Sequence, residues 1–163
     1  MKWLWLTVII VILDQVTKIW VVAYLSLGES MPVLAWFNLV HACNEGAAFS
    51  FLSDAGGWQR WFFIGLTAVI SLAIFIWLGA LSGPQRLLRC ALALILGGAL
   101  GNLWDRIAHG CVVDFIQVFL EFIPMQLFNP WPAFNVADSA ITIGAILLII
   151  DTFLYDQAEI TKS

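Results

Sequence analysis

The sequence predicts a membrane protein that is all-α with a small β portion: four transmembrane helices and a sheet at the outer face, in a single domain over residues 1–163. Three observations carry that expectation. Of 163 residues, 62% are hydrophobic, 11% are charged and nine are Trp, with a mean hydropathy of +0.95; a water-soluble domain of this length cannot hide so much apolar surface. Four apolar stretches each reach the roughly 20 residues that a helix needs to cross about 30 Å of hydrocarbon. Two intervening segments are instead rich in β-branched and aromatic residues and bounded by Pro and Gly, the pattern of short strands. No repeat, low-complexity tract or charged tail interrupts the chain. A net charge of -4, carried by so few groups, acts through position rather than a long-range field, and nothing suggests nucleic acid.

The first span extends from about Trp3 to Leu27. Lys2 precedes it as in a signal peptide, but no small-residue cleavage site follows, so it reads as a retained anchor. Asp14 and Lys18, one turn apart inside it, can neutralise each other and pair with a neighbouring helix; that is a structural role, because a self-neutralising pair is ill suited to proton transfer. MPVLAWFNLVHACN (31–44) follows and is expected as strand. Asn44 and Gly46 then open an apolar GAAFSF run, where glycine permits close backbone approach; substrate contact and a plain turn are both open.

The second span runs from about Trp58 to Leu81 and the third from about Leu87 to Ile107. In the third, Gly97 and Gly101 have the spacing that lets another helix pack closely. Asn102 and Arg106, four apart, share a helix face, so an amide and a guanidinium can together orient a carboxylate or bind substrate carbonyls. Asp105 is expected to point elsewhere, either pairing with Arg60 or acting as a simple helix-end charge. VVDFIQVFLEF (112–122) is the second strand region and carries Asp114. The fourth span, from about Ala137 to Tyr155, has Asp138 in its first turn, with Asn135 three residues earlier, placed to cap the helix or to bond across its start.

Lys2, Arg86, Arg89 and Lys162 fall on one side of these spans, which the positive-inside rule assigns to the cytoplasm, together with both termini. Segments 28–57 and 108–136 then share the outer face, with Trp36, Trp58, Trp61, Trp104 and Trp131 as an aromatic belt. Strands this apolar would aggregate in water, so they are expected at the membrane surface, facing lipid or an amphiphilic substrate.

The acids in that outer region suggest chemistry. A carboxylate near a bilayer costs several kcal/mol unless it has a partner or a use. Asp114 and Asp138, brought close in a poorly solvated site, cannot both ionise cheaply, so they share a proton and their apparent pKa values separate. The ionised member can deprotonate a water, and the protonated one can polarise a carbonyl and supply a proton to a leaving amine: amide hydrolysis with no metal and no cofactor. A purely structural alternative makes Asp138 a helix cap and Asp114 a solvated loop residue.

DQVTK (14–18), NEGAAFS (44–50), GNLWDR (101–106), VVDF (112–115) and FNVADSAITIG (134–144) together resemble the lipoprotein signal peptidase (signal peptidase II) family, in family order and from the first span to the last. The resemblance implies a four-helix membrane aspartyl protease with an extracytoplasmic β-cradle, in the bacterial cytoplasmic membrane. It implies removal of signal peptides from diacylglyceryl-modified preprolipoproteins just before the lipid-modified cysteine. It puts the catalytic pair on Asp114 and Asp138. Beside the resemblance, Asn44, Gly46, Asn102, Arg106 and Asn135 are expected to bind substrate or support the site, and Asp14, Lys18 and Asp105 to be structural. Membrane lipid is the other expected partner, and the protein is expected to work as a monomer. LEFIPMQLFNPWPA (120–133) is longer than the family pattern leads one to expect, which makes Phe128, Trp131 and Phe134 candidates for an aromatic flap.

Other chemistries remain in view. His41 with Cys43 and His109 with Cys111 allow either a zinc site or a Cys43–Cys111 disulfide. No H-E-x-x-H or G-x-S-x-G occurs, and Ser50, Ser53 and Ser139 have no evident base, which leaves serine and metal proteases poorly supported. A proton-coupled transporter using Asp14, Asp114 and Asp138 as a relay, or a noncatalytic assembly factor that binds lipidated partners, are the rivals from other classes.

Overall fold

Each apolar stretch folds as one uninterrupted helix, because in hydrocarbon the backbone N–H and C=O groups have no partners except one another. The computed structural model describes residues 2–46, 57–120 and 129–160, with backbone only at 155–160. Its helices are α1 (Leu4–Tyr24), α2 (Trp58–Ala80), α3 (Arg86–Ala108) and α4 (Val136–Ile160). All four are long and apolar enough to cross a membrane. The GAAFSF run from Ala47 onward and Phe128 of the expected flap lie outside the described residues.

The helices are packed inside out relative to a soluble bundle. On α1 the buried residues are Thr7, Asp14, Lys18 and Val21, whereas Trp5, Ile9, Ile12, Val16 and Ile19 are exposed to the lipid side. Polar groups turn inward because lipid offers them nothing. The axis of the bundle is α3, half buried where the other spans are 17–22% buried. Its small residues allow this: a Cβ on Gly97 would strike Ile10 of α1, and one on Gly98 would strike the Ala137 carbonyl of α4. Packing rather than hydrophobicity holds such helices together, helped by Thr7 Oγ1 donating to the Ala93 carbonyl at 3.0 Å. α2 packs on α3. There Arg60 donates from Nε to the Arg106 carbonyl (2.9 Å) and from Nη2 to the Ile107 carbonyl (3.0 Å), satisfying carbonyls left free at the end of α3.

Across one end of the bundle lies an antiparallel sheet of β1 (Ser30–Leu34), β2 (Phe37–Asn44) and β3 (Val112–Val118), in that order. The strand expected over 31–44 is thus a hairpin turning at Ala35–Trp36, and the one expected over 112–122 ends at Val118. All five residues of β1 are exposed, and its Pro32 suits an edge strand, where one ladder donor is not needed. β2 pairs with β3 with Ala42 opposite Asp114 and Asn44 opposite Val112, and the register shifts between Leu39 and Ala42. On the other side of β3, Phe134 exchanges backbone hydrogen bonds with Ile116 (2.8 and 3.0 Å). This brings the start of α4 against the strand that carries Asp114. Val21, Leu25 and Phe115 form the apolar core between α1 and the sheet.

Candidate active site

Strand pairing and helix capping place the two acids. Asp114 is buried in β3, with only 4% of its surface exposed, so it is not a solvated loop residue. Asn135 directly precedes α4 and forms a reciprocal cap with Asp138: the Asp138 N–H donates to Asn135 Oδ1 at 2.9 Å, and the Asn135 N–H donates to Asp138 Oδ2 at 3.2 Å. That is a capping box with Asn and Asp in its two places. The cap residue of α4 is therefore Asn135, and Asp138 retains Oδ1 for other use.

The same Asn135 side chain also reaches the other acid. Its Nδ2 donates to Asp114 Oδ1 at 2.7 Å, with longer contacts of 3.3 Å to Asn102 Oδ1 and the Val113 carbonyl. Asn44 Nδ2 donates to Asp114 Oδ2 at 3.1 Å, and Asn102 Nδ2 donates to Asp138 Oδ1 at 2.7 Å. Three amides thus hold two carboxylates in one network. Both acids, with Asn44, Asn102, Arg106, Trp131, Phe134 and Ser139, line a cavity of about 780 Å³. Burial, and next the negative charge of Asp138, push the Asp114 carboxyl up to about 7 against the opposing bonds from Asn44 and Asn135. A carboxyl that titrates near neutral pH beside another acid is suited to general-acid work.

Behind the cavity lies a second, fully buried set of charges. Lys18 Nζ contacts Asp14 Oδ2 and Asp105 Oδ2, both at 2.8 Å, and donates to Asn102 Oδ1 at 2.9 Å. All three ammonium protons are used. Asp14 Oδ1 accepts the Ala137 N–H at 3.0 Å, Asp105 Oδ2 accepts the Val113 N–H at 3.1 Å, and Gln15 Nε2 donates to Asp105 Oδ1 at 2.9 Å. Gly101 leaves the room this needs, because a Cβ there would collide with Asp14 Oδ2. The expectation that Asp105 points elsewhere, to Arg60 or to solvent, is corrected: it faces Lys18 and is 1% exposed, because Arg60 is taken up by backbone carbonyls.

Of the remaining residues singled out in the sequence, Gly46 joins the network through its backbone, donating to Asn44 Oδ1 at 3.0 Å and accepting from Arg106 Nη2 at 3.1 Å. Trp131 and Phe134 are on the cavity wall. Gln15 was overlooked, although a glutamine beside Asp14 inside a span is itself a signal. Cys43 and Cys111 form a disulfide, which removes both sulfurs from the zinc alternative. Ser139 donates to the Asn135 carbonyl at 2.9 Å.

A four-span bundle with a sheet across one end, and an acid-lined cavity beneath that sheet, defines a small polytopic membrane protein with a polar site at one end. The chain belongs to the signal peptidase II family of bacterial membrane proteases: residues 6–154 match the family described as "Signal peptidase (SPase) II". It is 50% identical to the lipoprotein signal peptidase of Yersinia pseudotuberculosis serotype O:1b (strain IP 31758) over 156 residues, 94% of this chain and 88% of that protein. The figures are the same for the lipoprotein signal peptidase of Yersinia pestis (strain Pestoides F). Two solved bacterial membrane enzyme structures, obtained by the in meso method, share the fold. One, at 2.3 Å resolution, has a TM-score of 0.82 and 33% identity, covering 97% of this chain and 90% of that one. The other, at 1.9 Å, has a TM-score of 0.75 and 34% identity, covering 91% and 90%.

Proposed function

We propose that this protein is an aspartyl endopeptidase that removes the signal peptide from diacylglyceryl-modified prolipoproteins, cutting just before the lipid-modified cysteine, with Asp114 and Asp138 as the catalytic pair. The observation that carries the reading is Asn135 joined to both carboxylates on the wall of one cavity. Asp138 accepts N–H donors in the first turn of a helix, surroundings that suit a negative charge, and Asp114 keeps its proton below about pH 7. As a water oxygen bonds to the scissile carbonyl carbon, Asp138 takes one of its protons and the Asp114 proton moves to the carbonyl oxygen, giving a diol. When the C–N bond breaks, Asp138 gives its proton to the amine and Asp114 recovers one from a diol hydroxyl. The pair ends as it began.

The cavity continues along α4 past Ile141, Thr142 and Ile143, where a signal helix in the bilayer would lie. Each buried methylene of the lipid is worth about 0.8 kcal/mol, enough for the acyl chains to fix which bond meets the acids. The working location is the bacterial cytoplasmic membrane with both termini cytoplasmic and the cavity at the outer face. In support, Arg86 and Arg89 start α3 at the end away from the sheet, while Trp36, Trp58, Trp61 and Trp104 are exposed. Against a transporter, the next buried polar group of α1 below Asp14 is Thr7, which bonds a backbone carbonyl instead of extending a relay.

The test is cleavage of a diacylglyceryl-modified preprotein by purified wild type, Asp114→Asn and Asp138→Asn. Both variants should be folded and inactive, and EDTA should not inhibit the wild type. A variant that still cuts would overturn the assignment.

A further inference from the structure

We infer that the Cys43–Cys111 disulfide is a positioning element for the acid pair, holding Asn44 on Asp114, so that reducing it slows turnover. This rests on the catalytic reading above. Cys43 immediately precedes Asn44, the donor to Asp114 Oδ2, and Cys111 stands three residues before Asp114. The strand piece between them is weakly held. β1 follows β2 only as far as Val40, and His41 is the last residue bonded on that side, through Glu29 and Gly28. The register with β3 breaks between Leu39 and Ala42, leaving Ala42, Cys43 and Asn44 as an isolated stretch of three pairs ending at Val112.

At the open end of that stretch the disulfide is the one covalent tie, and it closes a chain separation of 68 residues. The residues it steadies all matter to the cavity: Asn44 on Asp114, and Gly46, whose carbonyl accepts from Arg106. Cys111 is buried, but Cys43 is exposed, as are Glu45 and His109 near the two sulfurs in sequence, so a water-soluble dithiol attacks from the Cys43 side. Reduction takes two electrons and two protons from that dithiol, which becomes a disulfide, and leaves Cys43 and Cys111 as thiols. Freed at its end, the stretch from Ala42 to Asn44 frays and the Asn44 bond is made only part of the time.

The experiment measures kcat and KM on a diacylglyceryl-modified peptide before and after treatment with dithiothreitol, with both thiols counted by alkylation and mass spectrometry. The expected result is a fall of about tenfold in kcat, the size of one lost hydrogen bond, with little change in KM. Cys43→Ala/Cys111→Ala, assayed well below its own melting temperature, should show the same fall and no response to dithiothreitol. Asn44→Ala should start lower and respond much less, which a purely stabilising disulfide would not produce. Full kcat in protein whose two thiols have been counted as free, or an undiminished response in Asn44→Ala, overturns the inference. Asp114→Asn in the oxidised state keeps the two readings apart. If it cleaves, the catalytic reading fails; if it is inactive while reduction is silent, only the role of the disulfide fails.

Discussion

Asp14, in the interior of the first span, accepts a hydrogen bond from the backbone N–H of Ala137 at the start of the last one, at 3.0 Å across 123 residues of sequence. A helix start needs acceptors for its first N–H groups, and here α1 supplies one to the helix that bears Asp138. The opposite oxygen of Asp14 meets Lys18, which also holds Asp105 and Asn102. Both catalytic candidates are therefore positioned through one ammonium group.

Replacing Lys18 by Met should leave two buried carboxylates facing each other without a cation. Removing one partner of a buried pair costs about 3 to 5 kcal/mol, so the melting temperature in detergent should fall by roughly 10 °C or more. Adding Asp105→Asn should recover part of the loss. Recovery separates charge imbalance from lost packing.

Asn135 has two separable duties, capping α4 and bonding Asp114. Asn135→Ser preserves an oxygen for the cap but not the reach to Asp114; Asn135→Ala loses both. Both variants leave buried acceptors without a donor and should melt below wild type, and the alanine variant should be about 1 kcal/mol less stable than the serine variant because it also loses the cap. Both should lose about 10- to 100-fold in kcat, the cost of leaving a buried acceptor without its donor. A serine variant with full activity would remove Asn135 from the site.

Because Asp114 is pushed up to about 7, its proton is available below that pH and gone above it. Cleavage should decline as pH rises through about 7. Stability carries the same sign: the folded state holds this proton up to about 7, whereas the unfolded chain releases it near 3.8. Wild type should therefore lose stability as pH is raised from about 4 to about 8, by at most about 4 kcal/mol. Asp114→Asn should lack that component. Thermal melts of the two proteins at several pH values check it.

Gly98 faces the Ala137 carbonyl, and a methyl group there would strike that backbone oxygen as well as the Ile141 side chain; Gly65 on α2 has nothing within 4 Å of a Cβ. Gly98→Ala should cost about 1 to 3 kcal/mol through overpacking. Gly65→Ala should be neutral or stabilise by up to about 1 kcal/mol, the helix propensity gained. Melting curves of the two single variants should move in opposite directions or differ clearly in size.

Much of this architecture was legible along the chain because its signals are local. The spans follow from uninterrupted apolar length, and the strands from Val, Ile and Phe between Pro and Gly. The pairing of Asn135 with Asp138 follows from a spacing of three at a helix start. What escaped depends on contacts between distant segments. Asp105 stands near the outer end of α3, where Arg60 at the start of α2 is an available partner by topology, yet helix packing turns it to Lys18. That Asp14 and Lys18 pair with each other and with a neighbouring helix is legible from their spacing inside a span, whereas the particular partners, Ala137, Asp105 and Asn102, are set by the fold. Cys43 and Cys111 allowed two chemistries until the register between their strands was known.

The bare outer strand β1, with Met31, Val33 and Leu34 uncovered and only Pro32 to blunt it, has a practical consequence for handling the protein. Once the bilayer is stripped away, that rim becomes a template on which a second molecule can add a strand. A micelle that girdles only the helices leaves the template bare. Amphiphiles able to wet the rim as well should keep the extracted enzyme dispersed, and substituting Val33 with lysine should make it less dependent on them.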